Sequence, residues 1–161
     1  MNYVIIGNSA AAIGAVSGIR SVDQTGCITI ISSEPYFTYS RPLISYWLQG
    51  KVADDKLYYR EPDFYEKNNC TTIFGKKATS IDPDKKEVTL NDGSKISYDK
   101  LLNATGSSPF IPPMKGLETV KNQSTFMSYD DAKRVKEMIS PNAKVLIIGA
   151  GLIGLKAVEA I

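Results

Sequence analysis

The sequence predicts an α/β chain, in which a parallel sheet carries an added antiparallel β-meander and is followed by the opening of a second unit of the same kind. Three observations predict it. An apolar run at 4–6 meets Gly7, then a series of small residues, then an apolar helical pattern to about Ile19: strand, tight turn, helix. The same texture returns at 144–161, KVLIIGAGLIGLKAVEAI. Between them, 71–104 reads as short strands separated by the turn signals Asp82-Pro83-Asp84 and Asn91-Asp92-Gly93.

The opening stretch, YVIIGNSAAAIG, resembles the dinucleotide fingerprint G-x-G-x-x-G/A, with Gly7, Ser9 and Ala12 in the three key places. Such a site needs a turn that only a small residue permits and a backbone able to approach a pyrophosphate. It also needs a helix N-terminus, whose free N–H groups and dipole favour negative charge. No acidic residue occurs between Asn8 and Arg20. Ser9 puts a hydroxyl, a donor for a phosphate oxygen, where glycine would leave room. The alternative is an ordinary buried βα turn.

After the first helix, 27–32 reads as a buried strand. Glu34 lies just past it, 27 residues beyond Gly7 (34 − 7). An acid at the tip of the second strand of a nucleotide-binding βαβ unit accepts hydrogen bonds from a ribose diol; the alternative is a solvated loop glutamate. The next stretch, 35–50, is rich in aromatic residues and reads as core and cofactor-pocket wall. In it Pro42 opens a helix towards Leu48. Arg41 beside it is placed either to meet an anion or to lie on the surface. A short helix is expected at 63–68. Strands follow at 71–74, 78–81, 87–90 and 95–98, read together as the meander, and 101–106 is a strand ending in a glycine turn. Pro109, Pro112 and Pro113 mark an extended connector ending near Gly116, and 129–139 has helical spacing with Asp130 and Asp131 at its N-terminal end.

In the closing stretch the fingerprint is complete: Gly149, Gly151 and Gly154 are expected to follow a buried apolar strand and lead a helix. Two copies 142 residues apart (149 − 7) imply two dinucleotide sites.

Composition excludes several classes. Of 161 residues, 43% are hydrophobic and 22% charged, a soluble globular profile. The net charge of +2, with no basic block, points to neither nucleic acid nor an anionic membrane. The N-terminus enters the first strand directly, leaving no room for a signal peptide, and the longest apolar run, 145–155, is too short for a bilayer. With no histidine, a His-based triad is excluded and a metal site lacks its commonest ligand, so no metal is expected. Cys27 and Cys70 form no CxxC and read as small core residues, and the compartment reads as cytoplasm.

Taken together, GNSAAA at 7–12, ITIISSEP at 28–35, YSRPLIS at 39–45, the long stretch from SIDPD at 80 to NATG at 106, and the second fingerprint resemble the N-terminal part of a two-dinucleotide-binding flavoprotein. The resemblance is to the pyridine nucleotide–disulfide oxidoreductase superfamily, in its branch of NADH:rubredoxin and ferredoxin reductases and nitrite reductase flavin modules. It implies a Rossmann-like FAD-binding domain over 1–116. Residues 117–161 would hold a connecting helix and the incomplete start of an NAD(P)-binding domain. Gly7, Asn8, Ser9, Ala10, Ala11, Ala12 and Glu34 would hold FAD. Arg41 and Pro42 would lie near flavin and pyrophosphate, Lys77 and Ala78 would present backbone to the adenine, and Ala104, Thr105 and Gly106 would line the site. Gly149, Gly151, Leu152, Ile153 and Gly154 would open the NAD(P)H site. Hydride would pass to flavin and electrons on to a rubredoxin- or ferredoxin-like protein or a fused redox domain, with the flavin doing the chemistry and no catalytic side chain assigned. A homodimer is one assembly the resemblance allows.

The chain departs from many relatives at three places: Tyr46 stands for a flavin-proximal lysine, Lys156 for the glutamate of a GLE, and Met127 for an arginine. Two other readings stand beside the first. A thiol flavoenzyme, such as a coenzyme A–disulfide reductase or NADH oxidase, needs a cysteine near 40–46, where none occurs. A nucleotide-binding module without turnover is the other. The 161-residue chain by itself is expected to be inactive.

Overall fold

The computed structural model describes residues 1–161 and divides them into two compact units. The first comprises Met1–Tyr39 and Tyr58–Ser107, the second Ser40–Leu57 and Ser108–Ile161.

In the first unit, β1 (Asn2–Ile6) lies between β2 (Cys27–Ser32) and β7 (Lys100–Asn103), and β3 (Cys70–Phe74) lies beyond β2. All three pairings are parallel. β1 and β2 read as near-continuous apolar runs because both faces of the sheet are covered. Tyr3 and Ile5, with Ile28 and Ile30, face α1 (Ala10–Val22), whose Ala12, Ile13 and Val16 form the buried stripe. Val4, Ile6 and Ile31 face the other way, onto Val88 and Leu90 of the meander. The meander is β4 (Ala78–Asp82), β5 (Glu87–Leu90) and β6 (Lys95–Ser97), antiparallel throughout, with alternate residues of β5 turned inward.

One strand is reassigned. Residues 71–74, expected within the meander, belong instead to the parallel sheet, as the partner of β2. The cause is the positive-φ turn at Gly75 (φ +71°), after which the chain leaves the sheet and starts the hairpins.

Arg20, in the last turn of α1, ties this unit at its rear. Its guanidinium donates to the carbonyls of Asp23 (2.9 Å), Gly26 (2.9 Å), Asn68 (2.8 Å) and Asn69 (3.3 Å). A cation at a helix C-terminus is favourable, and its fork reaches from there to the lead-in of β3. The expected short helix is α3 (Phe64–Lys67), which buries Tyr65.

The second unit is helical: α2 (Ile44–Leu48), α4 (Tyr129–Met138) and α5 (Leu152–Ala160). Pro42 sits in the opening 3₁₀ turn before α2. Trp47 meets Tyr129 edge-on, with centroids 4.9 Å apart, and both the Trp47 indole N–H and the Tyr129 hydroxyl donate to Asp54 Oδ1. α4 starts with a capping box in which Ser128 and Asp131 bond each other's backbone N–H.

The apolar run before the second glycine turn, expected as a buried strand, is not one. Residues 145–148 pair with no other strand, and Leu146 and Ile148 are 85% and 62% exposed. A β-strand exists only through a ladder partner, and within 1–161 every strand of the parallel sheet belongs to the first unit.

Candidate functional site

The parallel sheet ends in one row. Ile6 registers with Ile31 on one side and Asn103 on the other, and Ile31 registers with Ile73. The connections leaving these positions therefore share the carboxyl edge of the sheet: the Gly7 turn, the loop through Glu34, the Gly75 turn, and Ala104–Gly106. In open α/β sheets this edge is where ligands sit.

The Gly7 turn is built for close approach. Gly7 has φ +119°, a conformation that side-chain-bearing residues rarely adopt. Its N–H donates to Ile31 O (2.8 Å), and the Ala104 N–H donates to Ile6 O (2.8 Å). A Cβ at Gly7 would lie 2.1 Å from Ala104 O. The fingerprint and the ATG turn thus form a single packed corner, and α1 starts directly beyond it. Ser9 is its N-cap in extended conformation and spends no side-chain bond on the cap, and the first turn holds no acid. The N–H groups of that turn and the Ser9 hydroxyl suit an anion.

The Asn8 side chain ties the turn to its neighbours. Its Nδ2 donates to Tyr36 O (3.1 Å), and its Oδ1 accepts from the Tyr65 hydroxyl (2.7 Å). Tyr65 Oη in turn accepts from the buried Thr38 N–H (3.0 Å). Burial pushes the Tyr65 phenol above its ordinary pKa. This chain of bonds pins the fingerprint turn to the loop at 36–38 and to α3. Around it Phe37 stacks on Tyr65 (5.5 Å) and meets Phe74 edge-on (6.1 Å), so part of the aromatic stretch is a wall beneath the turn. Sequence reading missed Tyr65. Its one signal was a tyrosine in a short amphipathic helix, which points equally to plain core.

Glu34 is partly buried, and its carbonyl accepts from the Gly75 N–H (3.4 Å). Lys77 is held by Asn91 twice over: its N–H donates to Asn91 Oδ1 (3.1 Å) and its carbonyl accepts from the Asn91 N–H (2.8 Å). Ala78 opens β4 and packs on the meander core. Both cysteines lie at the opposite edge. Cys27 opens β2 in register with Asn2, and Cys70 opens β3 in register with Ile28. Cys27, expected in the core, is exposed, because it faces away from Ile28 at the strand's first residue. Cys70 is partly buried, and that burial pushes its thiol up.

Arg41, Pro42 and the second fingerprint belong to the second unit. Arg41 Nη1 donates to the Met127 carbonyl (3.1 Å). Gly149 repeats the positive φ of Gly7 (+112°), and a Cβ at Gly154 would lie 2.0 Å from Gly149 O. Here too the third small residue lets the helix pack on its own turn. Two of the three departures touch each other. Lys156 Nζ, in α5, lies 3.1 Å from Tyr46 Oη, in α2, and 2.6 Å from Glu159 Oε2. The Glu159 carboxylate, then the Tyr46 hydroxyl, raise the Lys156 pKa.

A four-stranded parallel sheet in the order β3-β2-β1-β7, with a tight glycine turn after its first strand, defines a Rossmann-like α/β protein. The sequence profile of the pyridine nucleotide-disulphide oxidoreductases matches residues 1–161, and the chain belongs to that family. It is 34% identical over 157 residues to the NADH-dependent phenylglyoxylate dehydrogenase subunit epsilon of Aromatoleum evansii, covering 98% of this chain and 37% of that protein. It is 35% identical over 158 residues to the NADH-rubredoxin oxidoreductase of Clostridium acetobutylicum, covering 98% and 40%. The structure superposes on the NADH:rubredoxin oxidoreductase of that organism with TM-score 0.85 and 33% identity, over 99% of this chain and 41% of that one. On the reductase of a covalent putidaredoxin reductase–putidaredoxin complex the values are 0.88 and 29%, over 99% and 39%. The chain spans about two fifths of the length of these relatives. No helix is long and apolar enough to cross a membrane.

Proposed function

We propose that the chain supplies the FAD-binding part, and the opening of the NAD(P)H-binding part, of a cytoplasmic NAD(P)H oxidoreductase. Its electrons would go to a small rubredoxin- or ferredoxin-like protein or a fused redox domain. The observation that carries this is the packed corner of Gly7 and Ala104 at the sheet's carboxyl edge, with an acid-free helix N-terminus above it. Gly7 and Ser9 to Ala12 would offer backbone N–H groups to the pyrophosphate, with Asn8 holding the turn from behind. Glu34 would accept from the ribose hydroxyls, Ala78 would lie against the adenine, and Thr105 and Gly106 would wall the site. Bound FAD would supply the hydride and electron chemistry. In the second unit, Gly149 to Gly154 would receive the nicotinamide nucleotide. Residues 1–116 and 117–161 would be the corresponding domains.

The position of the cysteines favours this reading over a thiol flavoenzyme. Cys27 and Cys70 both start their strands, at the far end from the Gly7 turn. Residues 1–161 contain no strand beside the second glycine turn to carry a nicotinamide ribose, so the chain by itself should not turn over NADH. A visible absorption spectrum, followed by anaerobic addition of NADH, tests the proposal on the whole protein. A flavin spectrum bleached by NADH supports it. Absence of flavin after reconstitution with FAD overturns it, and flavin that NADH leaves oxidised points to a module without turnover.

A further inference from the structure

The turn after β5 does more than reverse the chain. Asn91 N–H donates to Lys77 O (2.8 Å), which is one half of an ordinary antiparallel pair. The other half would run from Lys77 N–H back to the Asn91 carbonyl. Asn91 is instead the first central residue of a tight turn, closed by the Gly93 N–H on Leu90 O (3.0 Å). Its side chain stands in for the carbonyl: Lys77 N–H donates to Asn91 Oδ1 (3.1 Å). The ladder between β4 and β5 is thereby one pair longer than its two strands.

The extra pair governs Ala78. Ala78 stands opposite Leu90, beside the Lys77 bond, so its own N–H and C=O point away from β5. β4 is the outer strand of the meander, so no other strand takes them up. Beyond Ala78 the register shifts at Thr79, and Ser80 pairs with Thr89. Such a bulge bends its strand, so the aim of Ala78 is held from the Lys77 side. On that side Gly75 N–H donates to Glu34 O (3.4 Å) and Lys76 N–H to Ser32 O (3.0 Å). Asp92, in the same turn as Asn91, meets Lys76 Nζ at 2.9 Å. The turn thus grips both residues that lead from the carboxyl edge of the sheet to Ala78. An N–H and a C=O side by side on an outward strand edge match adenine, which offers a ring-nitrogen acceptor and an amino donor along one edge.

We propose that Asn91 is a positioning residue for the adenine end of the flavin cofactor. By completing the Lys77 pair it holds the Ala78 N–H and C=O in line with the ring nitrogen and amino group of the base, and so sets the preference for adenine. The proposal rests on the place against the adenine given above to Ala78. Asn91 acts through Lys77 and does not itself touch the cofactor.

The test is fluorescence titration of the flavin-free whole protein with FAD and with its ethenoadenine analogue, in which a two-carbon bridge blocks the ring nitrogen and the amino group. The variants are Asn91→Ala, Asn91→Gln and Asn91→Asp, with the thermal midpoint measured alongside. Wild type should bind FAD more tightly than the analogue. Asn91→Ala and Asn91→Gln should weaken FAD roughly three- to tenfold and the analogue not at all, so the preference shrinks by the same factor. Asn91→Asp keeps an oxygen for the Lys77 N–H and should restore most of it. Should Asn91→Ala not fold, Asn91→Gln decides, since it keeps the amide and shifts its oxygen by one methylene. An undiminished preference overturns the proposal. An equal loss for both ligands, or loss of the fold in both variants, does so too, because either marks a purely structural role. If wild type binds both ligands equally, FAD binding stands and this inference alone fails. If it binds neither, the proposed function falls first and this inference with it.

Discussion

The carbonyl oxygen of Ala104 occupies the space that any side chain at Gly7 would need: a Cβ there would sit 2.1 Å from it. Residues almost a hundred positions apart thus share one corner, and the backbone at 104 leaves room only for glycine at 7.

Gly7→Ala should be among the most damaging single changes. It imposes a positive φ on an alanine and drives a methyl into rigid backbone, at a cost of about 2–4 kcal/mol. Gly14→Ala, seven residues on in α1, meets nothing within 4 Å and should instead stabilise by about 0.5–1 kcal/mol through lower unfolded-state entropy. Urea unfolding of the two variants should shift the midpoint in opposite directions.

Tyr65→Phe removes the hydroxyl that joins the Thr38 N–H to Asn8 Oδ1. The Thr38 amide is buried and would be left unpaired, so the loss should be about 1–3 kcal/mol. The same variant should retain FAD less well, because Asn8 holds the fingerprint turn. Equal flavin retention in wild type and variant would confine Tyr65 to the core.

Glu34→Ala should weaken FAD binding by about 1–3 kcal/mol if its carboxylate accepts from a ribose diol. Flavin release followed by fluorescence measures this, and unchanged retention would return Glu34 to the role of a loop glutamate.

Asp23 sets an acid limit. The N–H groups of Gly26 and Thr25, then the Tyr3 hydroxyl, hold its carboxyl down to about 2. Its folded pKa lies below the unfolded value of about 3.9, so its stabilisation is complete above that value and fades as pH falls towards 2. Asp23→Asn should therefore flatten the decline in thermal midpoint between about pH 5 and pH 2, while leaving the neutral region merely lower.

With Cys27 exposed and both cysteines at the amino edge, alkylating the native protein should modify Cys27 quickly and Cys70 slowly. NADH-to-dye electron transfer should survive both. Loss of activity in step with either modification, without unfolding, would restore the thiol reading.

Much of the fold was legible because its signals are local. Glycine turns, apolar runs and Asn-Asp-Gly each act over a few residues, and the meander and both fingerprint turns follow from them. Register and pairing are not local. Nothing near Cys70 to Phe74 says that its partner is β2 and not the next hairpin. Likewise 145–148 has the composition of a buried strand and, within the chain, no neighbour to make it one. Asn8 shows the same limit within the site: its place in the fingerprint is readable, but its bond to Tyr65 depends on a helix 57 residues away. The contact between Tyr46 and Lys156 was hidden for the same reason, since each was visible only as a separate oddity.

The central place of β1 has a consequence for how the chain acquires its shape. β1 is closed on one side by β2, close behind it in sequence, and on the other by β7, which is anchored where the Asn2 N–H donates to Asp99, 97 residues on. A ribosome adding 5–20 residues per second needs roughly 3–14 s to travel from the end of β2 to the start of β7. Throughout that interval a flat, apolar strand edge stands open to any neighbouring nascent chain. Protection of this edge during synthesis, more than the final stability of the sheet, is what should set the yield of folded protein.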